Sequence, residues 1–381
     1  MNNISATFDI TKECLCDLLM QIKQGKIQLP DLQRSFCWED HLIKELLASV
    51  SLAYPINSIL LLQLGNPEVK FRPRLVEGVH LDQSPEPTKL ILDGQQRLTA
   101  LYMALVSGNP VQIREKRSLK VAKRWYYIDI KQALSSQVER ENAIISLPES
   151  RLKPGGFNTA AFDCTTREKE FELEMFPVSM MFQYALWRAE YCKYWNYEPQ
   201  RLKLIDRFEL EVVKRYEHYQ VPIIQLRPEL PKEAVCIVFQ KINTISSDLS
   251  YFDLLTAMFA GEDFSLRDDW EMRYRRLARC KVLAHLRNID FLQTVSLIST
   301  YQRRQQAIAQ HTDLDKLPGI GCGRSEVLRL TVDHYQAAVE LATRGYEEAA
   351  RFLHGQKILN ADDLAYQITG SASGNPGSDR P

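Results

Sequence analysis

Two short apolar runs, "SILLLQL" at residues 58–64 and "KLILD" at residues 89–93, constrain the fold more than anything else in this chain. Neither alternates polar with apolar residues, so each reads as a buried strand, and both fall well short of the roughly 18 apolar residues a membrane span needs. Helical spacing surrounds them. "TKECLCDLLMQIKQG" puts Leu15, Leu18, Leu19 and Ile22 on one face with Gly25 as terminator, and "WEDHLIKELLASVSL" repeats the spacing through Leu42, Leu46, Leu47 and Val50. "KIQLP", "WYYIDI" at 125–130 and "VPIIQL" at 221–226 read as further extended stretches, the last two separated by a polar, charged stretch and two helical segments. Past Pro231 the pattern turns almost wholly helical: Ala234, Val235, Val238, Phe239 and Ile242 stay in register, and Ser250 and Asp253 stand in capping-box spacing. Amphipathic helices then fill residues 265–355. The expected fold is α+β, with a mixed α/β domain at 1–130, a mixed continuation at 131–230, a helical domain at 231–365 and a small, polar, disordered tail at 366–381.

A chain of 381 residues is long enough for two compact domains or for one core with a helical extension. Lys and Arg number 48 and Asp and Glu 48, so no overall basicity argues for a nucleic-acid binder, and any such contact must be a local patch. The N-terminal residues have neither a basic region nor an apolar one of signal-peptide type, and no membrane partner is expected, so the expected location is cytoplasmic. The eight cysteines include no C-x-x-C pair and the seven histidines no zinc-ligand spacing, so no metal site is expected from these motifs.

The densest chemical signal is Asp93-Gly94-Gln95-Gln96-Arg97-Leu98-Thr99, where a buried strand delivers an acid and a glycine to a turn that opens directly into a helix. Free N–H groups at a helix start and the fork of Arg97 suit a phosphate. The same pattern also serves as ordinary scaffolding, a strand-to-helix turn with a capping acid. A second polar cluster, Leu29-Pro30-Asp31-Leu32-Gln33-Arg34 with Phe36 and Trp38, reads as a rigid extended connection carrying Gln33 and Arg34, or as a surface arginine beside an aromatic anchor. Two basic stretches, 114–124 and 267–304, include Arg275, Arg276 and Arg279 near Trp270 and Tyr274. They read either as a phosphate-tracking face for DNA or as a solvated helix surface. "GIGCGRS" at 319–325 lacks a preceding strand and reads as a helix connector.

Taken together, "LPDLQRSFCW" and "DGQQRLTALY", in that order, resemble the two signature boxes of the GmrSD-type restriction endonuclease N-terminal domain family, whose fold is ParB/sulfiredoxin-like. "AVCIVFQKINTISSDLSYFDLLTAMFA" is similar to a third element of that family and departs from it at Ser246, where glycine is usual. The resemblance implies that Gly94, Arg97 and Thr99, with Gln33 and Arg34 closing over them, bind a nucleoside triphosphate with Mg2+. It further implies that Asp93, Gln95, Gln96 and Arg97 serve its hydrolysis, in a phage-defence protein that recognises DNA, modified phage DNA included. The H-N-H nuclease histidines of such systems have no counterpart here, because His311, His334 and His354 sit in helical contexts. A nuclease partner is therefore expected. Near the C-terminus, Ala365 replaces a proline of the family segment, which suggests an early end relative to the family. The alternative is a non-catalytic DNA- or partner-binding module that keeps the turn for structure.

Overall fold

The computed structural model describes residues 8–31, 33–67, 69–115, 121–155, 161–243, 250–310 and 317–363. Ser246, His311, Ala365, the tail 366–381 and residues 116–120 of the first basic stretch lie outside them. The chain divides into two compact units, residues 1–65 with 73–230, and residues 66–72 with 231–381.

The first unit opens with β1 (Phe8–Cys14), α1 (Leu15–Lys23), β2 (Ile27–Pro30), α2 (Asp40–Ser51), β3 (Ile59–Gln63), β4 (Pro73–Arg74), β5 (Lys89–Asp93) and α3 (Gln95–Leu105). It continues with β6 (Val111–Arg114), β7 (Val121–Asp129), α4 (Ile130–Ala133), β8 (Ile144–Pro148), β9 (Leu152–Lys153), β10 (Phe162–Asp163), α5 (Arg167–Leu173) and β11 (Met175–Pro177). A 3-10 segment, then α6 (Tyr184–Tyr194), α7 (Pro199–Phe208), a π turn (Glu209–Val213), α8 (Lys214–Glu217) and β12 (Gln220–Leu226) complete it.

The main sheet has six strands in the order β1-β12-β3-β5-β2-β4. Pairs β12/β3 and β2/β5 are parallel, and β1/β12, β3/β5 and β2/β4 antiparallel. β3 and β5, the two apolar runs, are almost wholly buried at the centre, as strands without polar alternation require. A second sheet forms around β7, whose nine residues let β6 and β11 share one edge while β8 takes the other. Helix α3 is buried on nearly every side from Leu98 to Leu105, the condition of a central helix. Helix α1 ends in a Schellman turn: the Gly25 N–H donates to the Ile22 carbonyl and the Lys26 N–H to that of Gln21, with Gly25 at φ +70°.

One expectation changes. The helix expected from Thr11 begins only at Leu15, because Phe8–Cys14 pairs with Gln220–Leu226 as an edge strand. Its residues are largely solvent-facing, so it carries no buried periodicity to be read. Within the mixed continuation expected at 131–230, the polar stretch carries β8, β9 and β10, β8 held by its ladder with β7.

The second unit comprises α9 (Lys232–Asn243), α10 (Tyr251–Ala260), α11 (Leu266–Leu277), α12 (Asn288–Ala309), α13 (Arg324–Leu328) and α14 (Val332–Gly355), plus segment 66–72. The capping box at α10 forms: Ser250 Oγ accepts from the Asp253 N–H, and the Asp253 carboxylate accepts from the Ser250 N–H. Phe259, Phe264 and Tyr335 pack edge to face at its centre. Among the described residues no helix is long and apolar enough to cross a membrane.

An aromatic cluster lies in the core of the first unit. Trp187 is fully buried, with ring centroids 5.0 Å from Phe176, 5.1 Å from Tyr191 and 5.3 Å from Phe171. Trp187→Ala is expected to cost about 3–5 kcal/mol, read as a fall in the denaturant midpoint with little change in slope.

Candidate functional site

The turn after β5 is built around a glycine whose backbone conformation strains any other residue. Gly94 sits at φ 87°, and a Cβ there would lie 2.3 Å from Ile59 Cδ1 of the neighbouring strand. The chain therefore passes close over β3 before α3 begins, and no side chain caps the N-terminus of that helix.

Arg97 turns inward from the first turn of α3. Its Nη1 donates to the carbonyls of Ile56 (2.5 Å) and Ser58 (3.2 Å), and its Nη2 to Asp93 Oδ2 (3.2 Å). The side chain is 16% exposed and that of Asp93 42%. Burial lowers the guanidinium's pKa and the Asp93 charge opposes that. The fork thus holds the segment leading into β3 against the end of β5.

The two glutamines reach the other way, to the backbone of the Gln33–Cys37 segment. Gln95 Nε2 donates to the Arg34 carbonyl (2.6 Å), Gln96 Nε2 to that of Ser35 (3.3 Å), and Gln96 Oε1 accepts from the Cys37 N–H (3.0 Å). Gln33 reciprocates, its Nε2 donating to the carbonyls of Ile91 (2.8 Å) and Leu92 (2.9 Å). The two motifs, some sixty residues apart, are thereby laced together through side chain to backbone hydrogen bonds. Two residues the sequence did not single out complete the frame. Arg74 donates to the carbonyls of Gln33 (3.1 Å) and Arg34 (3.4 Å) and pairs with Glu77 (3.0 Å), whose Oε1 also accepts from the Phe36 N–H. They lie in a Pro-rich connection, about forty residues from their partners, with no periodicity to mark them.

The frame leaves particular groups unspent. Gln33 Oε1, Glu77 Oε2 and Thr99 Oγ1 are buried without a hydrogen-bond partner, and Thr99 is fully enclosed. Arg34 is exposed, held in place through its carbonyl. The orphaned Gln33 and Glu77 oxygens are acceptors, so they suit a water, an N–H donor or a hydrated cation, and the exposed Arg34 cation suits a phosphate. No group of three or more His, Cys, Asp or Glu able to hold a metal ion occurs among the described residues.

Arg275, Arg276 and Arg279 belong to the second unit and are not part of this frame. On α11, Arg276 is clamped by Glu347 (2.6 and 2.8 Å) and Glu340 (3.1 Å), which raise its pKa, and Arg273 by Asp269 (2.8 Å) and Glu340 (2.9 Å). Arg275 is exposed and lies 3.6 Å from Glu271, and Arg279 is exposed. Asp269 and Glu271 offset this row from within α11, and Glu340 and Glu347 offset it from α14, 64 to 71 residues further on and beyond the window in which the row looks basic. Trp270 packs on Phe291 (5.1 Å), and the Tyr274 hydroxyl donates to the Ala284 carbonyl (2.6 Å), so both aromatics serve the packing of this unit.

These features define an α+β protein with a glycine-pivoted strand-to-helix turn locked to an upstream polar box. The chain belongs to the family described as GmrSD restriction endonuclease, N-terminal domain, which it matches over residues 15–260. Membership associates it with restriction systems. It is also similar to an uncharacterized protein of Methanocaldococcus jannaschii, 28% identical over 284 residues, which cover 71% of this chain and 45% of that protein. The chain thus spans less than half the length of that relative.

Gly94→Ala combines a left-handed backbone with the clash against Ile59. The expected loss is about 2 kcal/mol or more, measured by urea unfolding, and Ile59→Ala in the same chain should recover part of it.

Proposed function

We propose that this chain is the nucleotide-binding and nucleotide-hydrolysing DNA-recognition part of a restriction system, acting in the cytoplasm on phage DNA, modified DNA included, with DNA cleavage supplied by a nuclease partner. The observation that carries this reading is the laced frame of the two motifs, which leaves Arg34 and the buried Gln33 and Glu77 acceptors as its uncommitted groups, beside a partly exposed Asp93 carboxylate bonded through one oxygen to Arg97. In this reading Arg34 and the start of α3 take the phosphates of a nucleoside triphosphate. Asp93 orients the attacking water or a hydrated Mg2+. Gln95, Gln96 and Arg97 are positioning residues that hold Gly94, Thr99 and the Gln33–Arg34 box in register. Arg275 and Arg279, exposed on the second unit, are the groups for DNA phosphates.

One observation favours a second reading. Every hydrogen bond of the Gln95 and Gln96 side chains ends on backbone, and so do two of the three made by Arg97, as expected of a binding module whose turn is scaffold alone. Calorimetric titration with ATP, GTP and CTP in Mg2+, followed by phosphate release with and without DNA, separates the two. The expected outcome is binding and turnover of one nucleotide, with Arg34→Ala weakening binding about tenfold at unchanged melting temperature and Arg97→Ala lowering both binding and melting temperature. No heat of binding at millimolar nucleotide overturns the enzymatic reading in favour of the scaffold.

A further inference from the structure

β12 pairs with β1 from Gln220 onward but with β3 only from Ile223. Its first three residues therefore lack a strand neighbour on the β3 side, and Pro222 has no N–H to leave unsatisfied there. The segment between α2 and β3, with Ala53 (φ 56°) and Asn57 (φ 65°) in left-handed conformations, runs past this gap, fastened where the Tyr219 hydroxyl donates to the Tyr54 carbonyl at 2.5 Å. A cavity of about 540 Å3 results, lined by Lys12, Ala53, Pro55, Lys214, Arg215 and His218 together with the first residues of β12. That volume is within the usual range for small-ligand sites.

Its charge is one-sided. No Asp or Glu lines it. Among the described residues Lys214 pairs with Glu217 (2.7 Å) and Glu209 (3.8 Å), whereas Lys12 and Arg215 have no carboxylate partner. Arg215 Nη1 instead lies 3.4 Å from the Ser51 carbonyl at the end of α2, and Arg140, just behind the wall, donates to the same carbonyl at 3.4 Å. Two guanidinium groups thus share one helix end, worth about half a negative charge, which together with Glu211 near Arg140 offsets them only in part. Burial lowers the pKa of Arg140, and the neighbouring Arg215 charge lowers it further. The π turn Glu209–Val213 immediately precedes Lys214 and Arg215, and such insertions into a helix recur at functional sites.

We propose that this cavity is a second anion site, taking a phosphate-bearing ligand with its phosphate against Arg215 and Lys214 and with Lys12 at the mouth. The shared chemistry is a phosphate, supplied either by a free phosphorylated small molecule or by a nucleic-acid strand. The wall segment also carries the Ile56 and Ser58 carbonyls that hold Arg97, so occupancy here bears mechanically on the turn at Gly94.

The test titrates wild type, Arg215→Ala and Lys12→Glu with pyrophosphate by calorimetry, and with a labelled single-stranded oligonucleotide by anisotropy at about 50 and 200 mM salt. Lys12 is exposed on an edge strand, so that variant keeps the fold, and a thermal melt of each protein reports it. Pyrophosphate binding that weakens roughly tenfold or more in Arg215→Ala and several-fold in Lys12→Glu supports the site. Loss confined to pyrophosphate marks a free ligand, and parallel loss for the oligonucleotide marks a strand. Weakening for the oligonucleotide in both variants, without pyrophosphate binding, also supports the site and names the strand. Wild type that binds neither probe, affinities unchanged in both variants, or a loss in Arg215→Ala alone with a lowered melt overturns it.

Discussion

The inward turn of Arg97 is the constraint on which the first unit's arrangement rests. A guanidinium cannot shed its charge at neutral pH, so burying it requires acceptors, and two backbone carbonyls at Nη1 and one carboxylate at Nη2 provide them. Those acceptors belong to the entrance of β3 and the end of β5, the two central strands. Fixing them fixes the turn at Gly94, the start of the buried helix α3, and through Gln95 and Gln96 the path of the Gln33–Cys37 segment. A motif that looks like a row of reactive side chains is, in its hydrogen bonds, largely a joint.

Much of this was legible in the chain itself. The apolar runs at 58–64 and 89–93 are strands because burial on both faces leaves a direct trace in composition, and the α+β class follows from the helical spacing around them. Gly25 and the Ser250–Asp253 pair announced their caps for the same local reason. β1 was illegible because an edge strand needs only a partner for its backbone, and that partner lies about two hundred residues away. Arg74 and Glu77 were missed on similar grounds: apart from pairing with each other, they hold backbone carbonyls and an N–H, which no residue type advertises. The arginine row of α11 misled in the opposite sense, since charge read along one helix omits the glutamates of α14 facing it.

The arginines of the two places therefore differ in kind. On α11 much of it is tied to carboxylates, the common state of surface arginines. At the cavity beside β12, Arg215 is held against a helix end, an arrangement that orients the cation without discharging it. Orientation without neutralisation is the condition under which a cation remains available to a ligand.

The position of β12 has one more consequence. The last strand of the unit is inserted between β1 and β3, both made from its first sixty-odd residues. During synthesis β3 must wait for more than 150 further residues before its second edge is covered, and any chain interrupted before residue 220 carries that apolar edge open to pairing with other chains. The sheet can close only once the chain has passed β12.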